Sequence, residues 1–207
     1  MSLLNHALAR IFSALRSQLP ARCLKLLFVV LLGMISGQAV IAASGHTASS
    51  PAVGEYKVKA AFLYHFAKFI EWPTEAGSNE LVVCVLGVDP FGAALKAIAG
   101  KQVGDMQLTV RRLQRPDEMA SCHMVFVSAS EQPRLAGILT RLQGEQILTI
   151  SDIPGFVEQG GMIMFHMEGP KLRFSVNMKA VRSTKLVISG HLLRLARRIH
   201  GNEEGRP

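Results

Sequence analysis

The chain lacks a membrane-spanning apolar run, has no acidic residue before Glu55 and carries only three cysteines. Each absence excludes something. A spanning helix needs roughly 20 apolar residues, whereas Leu26–Ile35 is interrupted at once by Ser36 and Gln38. The acid-free leader carries Arg10, Arg16, Arg22 and Lys25 ahead of that short core, and the small residues Ala39–Ser44 follow it. This order is that of a secretory signal peptide over residues 1–43, cleaved after Ala42 or Ala43, rather than of a permanent anchor. Catalytic signatures are missing too. There is no nucleophile elbow, no glycine-rich loop with a phosphate-binding lysine and no paired His or Cys metal motif. His65, His123, His166, His191 and His200 are too scattered to imply a shared metal. No catalytic residue, metal or cofactor is expected. The excess of basic residues is modest once the leader is set aside, since the net charge of +8 falls to +4 without its four cations. Only Arg194, Arg197 and Arg198 cluster, at a helix C-terminus where the dipole accounts for them, so nucleic acid is not an expected partner.

What is present fits export. About 165 residues remain after the leader, enough for one domain with its own core. Cys23 departs with the signal, leaving Cys84 and Cys122. An even pair in an oxidising compartment implies a disulfide; the alternative is two buried thiols acting as small hydrophobes. Residues 44–53 read as a flexible linker, although Ser50 could cap a helix and Pro51 suits its first position. That helix should run to about Glu71, with Val58, Phe62, Phe66 and Phe69 toward the core. Tyr64 and Trp72 fall partly outside this stripe. Either they meet a partner or second chain, or the helix is buried on two sides within its own domain.

Residues 81–150 alternate strand and helix. Leu81–Gly87, Leu108–Leu113, His123–Ala129 and Ile147–Ile150 read as strands, with helices near Phe91–Ala99 and Glu131–Leu142. A hairpin of Met162–Met167 and Leu172–Val176, a short helix at Met178–Arg182 and a final helix at about Gly190–Ile199 follow. The final helix should face inward through Leu192, Leu195, Ala196 and Ile199. The expected fold class is α/β: a three-layer domain over residues 54–200. It has a mixed, mostly parallel central sheet flanked by helices, a C-terminal β-hairpin plus helix, and a disordered tail at 201–207.

Two loops follow strands where such folds bind ligands. Gly87–Gly92, with Asp89 and Phe91, is either a structural turn that starts a helix or a ligand loop. Ser151–Gly161, with Asp152, Ile153, Phe156 and Glu158, either displays apolar groups to a partner or tucks them into the core. Asp89, Asp152 and Glu158 are also the only loop carboxylates that an exported hydrolase could use.

In their fixed order, several segments resemble the YfiR-like periplasmic proteins: Glu55–Leu63, Phe69–Pro73, Val85–Gly92, Cys122–Ser128, Ser151–Phe156, Gly160–Ile163, Phe174–Asn177 and Leu192–Ala196. The resemblance covers about residues 54–199. It implies a periplasmic repressor that contacts the outward-facing domain of an inner-membrane diguanylate cyclase and keeps cyclic di-GMP, and with it biofilm, low. An OmpA-like outer-membrane lipoprotein would sequester it, and a homodimer is implied as well. It also implies that Cys84 and Cys122 form one of the two disulfides of the best understood relative. The second pair would fall around Asp152–Phe165, where this chain has no cysteine, so control through that bridge does not transfer. The alternative function is a periplasmic small-molecule sensor built from the two loops, with another membrane partner.

Overall fold

The computed structural model describes residues 51–72 and 79–201. The expected signal peptide, residues 44–50 of the linker and the tail beyond Gly201 lie outside the described residues. Helix α1 (Pro51–Phe69) begins at the proline, so residues 51–53 of the expected linker are helical. It ends two residues earlier than expected because Ile70–Glu71 turns extended as β1 and pairs antiparallel with β9 (Val187–Ile188).

The remaining strands form one eight-stranded mixed sheet. They are β2 (Glu80–Leu86), β3 (Gln102–Val103), β4 (Met106–Leu113), β5 (Met124–Val127), β6 (Leu148–Ser151), β7 (Ile163–Glu168), β8 (Lys171–Asn177) and β10 (Arg198–His200). Their spatial order is β10-β8-β7-β6-β5-β2-β4-β3. Five neighbouring pairs are parallel; only β7–β8 and β3–β4 are antiparallel. The buried apolar runs of β2 and β5 follow from this position, because a central parallel strand is covered on both faces.

Two cores flank the sheet, which makes the domain three-layered. On the first face α1, a 3₁₀ helix at Gly92–Ala97, α3 (Met178–Arg182) and α4 (Gly190–Leu195) bury Leu63, Phe66, Leu95, Val181 and Leu192 against Val83, Val85, Phe126, Phe165 and Phe174. On the second, α2 (Leu135–Leu142) sets Leu135, Ile138 and Leu142 against Cys84, Leu86, Val125 and Val127. The expected helix from Glu131 is instead 3₁₀ over Ala129–Arg134, a stretch containing Pro133, which cannot donate a helical bond.

Two inward faces differ from expectation. The buried side of α1 is Lys59, Ala60, Leu63, Phe66, Ala67 and, just beyond it, Ile70; Val58 is 46 % exposed, and Phe62 and Phe69 are half-buried. Small Ala60 and Ala67 let the helix backbone sit close to the sheet, and that closeness selects this face over the bulkier one. The final helix stops at Leu195, which is 53 % exposed. Beyond it the chain is extended: Arg197 N–H donates to Phe174 C=O at 2.9 Å and β10 pairs parallel with β8, so Ala196 and Ile199 are not helical.

Candidate functional site

Chain order and spatial order part company between β2 and β5. The connection from β2 leads to β4 on one side, and the chain then returns to β5 on the other. The carboxyl ends flanking such a reversal are where open α/β sheets bind ligands. Here the protein's own groups fill them. Ser128 Oγ donates to Val88 C=O at 2.6 Å and Val88 N–H donates to Ser130 Oγ at 3.0 Å. Gly87 has φ +88°, and a Cβ there would overlap the Ser130 and Glu131 side chains. Asp89 is occupied as well. Its Oδ1 accepts from Phe91 N–H at 2.7 Å and from Gly92 N–H at 3.2 Å, and its Oδ2 accepts from Arg112 Nε at 2.7 Å. Phe91 is 5 % exposed, its ring centroid 5.2 Å from Tyr56 and 4.7 Å from Phe126, both edge-on. These contacts make the loop a capped turn packed into the core.

Asp152 holds the most concentrated buried polar group at this edge. Ser151 Oγ accepts from Ile153 N–H at 3.0 Å and donates to Val127 C=O at 2.7 Å, which fixes the chain as it leaves β6. Asp152 Oδ2 then accepts from Tyr56 Oη at 2.7 Å and from Lys59 Nζ at 2.6 Å. Lys59 also pairs with Glu55 at 2.5 Å, and its ammonium lies 4.2 Å from the Tyr56 ring centroid. Asp152 Oδ1 is buried with no hydrogen-bond partner. Burial, reinforced by the hydrogen bond to Asp152, pushes the Tyr56 phenol well above its usual range. Two residues of α1, Tyr56 and Lys59, thus clamp a carboxylate almost a hundred positions away. The arrangement can pin α1 to the sheet.

The rest of the Ser151–Gly161 loop divides in two. Ile153 and Phe156 are 1 % and 0 % exposed, packed in the second core, and are therefore not on display to a partner. A Cβ on Gly161 would overlap the Phe156 ring, so the turn returns only because that residue is glycine. Glu158 is exposed and lies 3.9 Å from His200. Of the loop carboxylates, Asp89, Asp152 and Glu158 each have a different partner: Arg112, Tyr56 with Lys59, and His200. Sequence reasoning missed Tyr56 and Lys59. The signal available was a lysine at a core-facing helical position, three residues after a tyrosine and four after Glu55.

Tyr64 and Trp72 pack within their own domain. Tyr64 Oη donates to Gln102 C=O at 3.1 Å beneath the Lys101 ammonium, and Trp72 Nε1 donates to Ala67 C=O at 2.9 Å, edge-on to His123. Both remain half-buried. Cys84 and Cys122 form a disulfide with Cα atoms 6.0 Å apart, joining the middle of β2 to the residue pair before β5. Among the described residues there is no group of three His, Cys, Asp or Glu placed to hold a metal, and no helix long and apolar enough to cross a membrane.

Compared with known families, residues 56–197 match the YfiR/HmsC-like model. The chain belongs to the YfiR/HmsC-like family. The family is one of periplasmic regulators of diguanylate cyclases, a regulatory rather than a catalytic role. Among solved structures, the chain is similar to a conserved domain protein from Vibrio cholerae O1 biovar eltor str. n16961. The two share 8 % identity over 70 % of this chain, with a TM-score of 0.49, and the match spans 60 % of that protein's length.

Proposed function

We propose that this YfiR/HmsC-like protein works in the periplasm as a repressor. It binds the periplasmic domain of an inner-membrane diguanylate cyclase directly and lowers cyclic di-GMP. The observation that carries this reading is the family match, which runs through almost the whole described domain. The geometry is consistent with action by contact. The chemistry-bearing residues at the sheet's carboxyl edge are engaged in holding the fold, as Asp89 is by Arg112 and Asp152 by Tyr56 and Lys59. A repressor needs no chemistry of its own. It has only to bind one state of the cyclase more tightly, and each tenfold preference is worth about 1.4 kcal/mol in the population it selects. Homodimerisation and sequestration by an OmpA-like outer-membrane lipoprotein belong to the same reading.

Deleting the gene should raise cellular cyclic di-GMP and biofilm, and expressing the exported protein should reverse both. Unchanged cyclic di-GMP on deletion would remove the repressor reading. Capture of a membrane diguanylate cyclase on the immobilised mature protein from solubilised membranes is the direct companion test.

A further inference from the structure

The second face of the sheet is covered unevenly. The core under α2 includes residues of β2, β4 and β5, with Ile147 just before β6, Met164 of β7 only at its edge and no residue of β8 or β10. Parallel strands are normally covered on both faces, whereas an antiparallel pair such as β7–β8 can leave one face open. Over β7, β8 and β10 the face that the described residues leave open forms a cavity of about 420 Å³, within the size range of small-molecule sites. Its floor comes from alternating positions: Met164 and Ser175 are directly opposite one another, and Arg198 lies beside Ser175 on the third strand. His166, Arg197, His200 and Glu158 complete the wall.

Three observations give this cavity a chemical character. First, the recess presents two polar side chains, His166 and Ser175, and His166 Nδ1 has no hydrogen-bond partner among the described residues. Second, the negative charge of the lining Glu168 is already answered, by Arg197 at 3.0 Å and Arg173 at 3.4 Å. Third, Arg198 lines the cavity, and its guanidinium makes no ion pair or hydrogen bond with any described residue. An unpaired guanidinium presents a planar fork of donors that matches a carboxylate or phosphate. Met164 and Met167 add an apolar side.

We propose that the β7–β8–β10 cavity is a binding site for a small anion bearing a carboxylate or phosphate group, with Arg198 as the principal contact and His166 and Ser175 as polar partners on the wall. It would make the protein responsive to a periplasmic solute. It does not rest on the cyclase reading, since binding is measured on the isolated protein. The site lies away from both loops singled out in the sequence, sharing only Glu158 with them.

The test is titration of the oxidised mature protein with citrate, succinate and inorganic phosphate, followed by calorimetry and thermal shift against sodium chloride at equal ionic strength. At least one probe should bind and stabilise beyond the chloride control, and the active probe separates a carboxylate from a phosphate ligand. Arg198→Ala should weaken that binding at least tenfold and Arg198→Lys by less. Arg115→Ala, which removes an exposed arginine paired with Glu118 elsewhere, should leave it unchanged. Glu158→Gln should tighten binding severalfold by removing a carboxylate from the wall, a gain that misfolding cannot imitate. The proposal fails if no probe exceeds the chloride control, if Arg198→Ala and Arg115→Ala act alike, or if Glu158→Gln weakens binding.

Discussion

Replacing Lys59 by Met tests whether the buried cluster at the carboxyl edge holds α1 to the sheet. The Lys59 side chain is 3 % exposed and that of Asp152 12 %, so their 2.6 Å contact is screened very little by water. Removing the ammonium leaves Asp152 with only the Tyr56 hydroxyl, on one oxygen, while the other already has no partner. Breaking a buried pair from one side costs about 3–5 kcal/mol, because the surviving charge stays desolvated. Glu55, with 29 % of its side chain exposed, can return to solvent and adds little. The expected loss for Lys59→Met is therefore about 3 kcal/mol, or a fall in melting temperature of about 6–12 °C for a domain of this size. Asp152→Leu should cost a similar amount. The double variant should lose no more than the worse single one, since an apolar pair has no stranded charge, which gives a coupling energy of about 2–3 kcal/mol. Urea melts followed by fluorescence of Trp72, the chain's sole tryptophan, report it three residues beyond the same helix. A loss under about 1 kcal/mol for Lys59→Met, or additivity within about 0.5 kcal/mol, would refute the clamp.

Other outcomes follow from the same contacts. Reducing the Cys84–Cys122 bond, which closes a span of 38 residues, should lower stability by about 4 kcal/mol on the loop-entropy model; urea midpoints unchanged by reductant would contradict this. Gly87→Ala should cost at least about 2 kcal/mol, since it adds positive-φ strain to overlap with Ser130 and Glu131; a near-neutral melt would show the turn to be yielding. Tyr56 has its folded pKa raised above the ordinary 10.0, so its stabilisation is intact below that pH and drains away as pH rises past it. Urea midpoints between about pH 9 and about pH 11.5 should accordingly fall more steeply for the native protein than for Tyr56→Phe, and equal slopes would count against it.

The layering was legible because it is written in short-range pattern. Short unbroken apolar runs at Leu81–Leu86 and Met124–Val127, rich in β-branched residues, read as strands covered on both sides, and the glycine at 169 marks the hairpin between β7 and β8. The orientation of α1 was not legible, because the helix is apolar on two sides. Val58, Phe62 and Phe69 form one helical stripe, and Ala60, Leu63 and Ala67 form another. Only the distance of closest approach to the sheet chooses between them, and that is a tertiary quantity. Leu195 misled in the same way: periodicity extended the last helix, while the unpaired edge of β8 drew Arg198–His200 into a strand. The Tyr56–Lys59–Asp152 cluster was beyond reach for a different reason. Three carboxylates in loops, Asp89, Asp152 and Glu158, were equally plausible partners for a buried cation, and nothing local distinguishes them.

The long-range ties are spread unequally across the sheet, and this bears on how it could transmit a signal. The disulfide fixes β2 to the start of β5 on one face, while the Asp152 cluster fixes the end of β6 to α1 on the other. Both ties are buried, and between them they immobilise the central three parallel strands. The β8–β10 end is held differently. Glu168 joins Arg173 and Arg197 there, and its side chain and theirs are 42–61 % exposed. Burial pushes the Glu168 carboxyl up, but the two guanidiniums outweigh it and hold the group below its usual range. Ion pairs this exposed contribute little to stability and weaken with salt. Local opening is therefore least costly at β10, the strand that supplies Arg198 to the cavity, and most costly at β2 and β5. A ligand bridging β10 to β7 would add its binding energy where the fold has least of its own. There a few kcal/mol can change which conformation a partner meets.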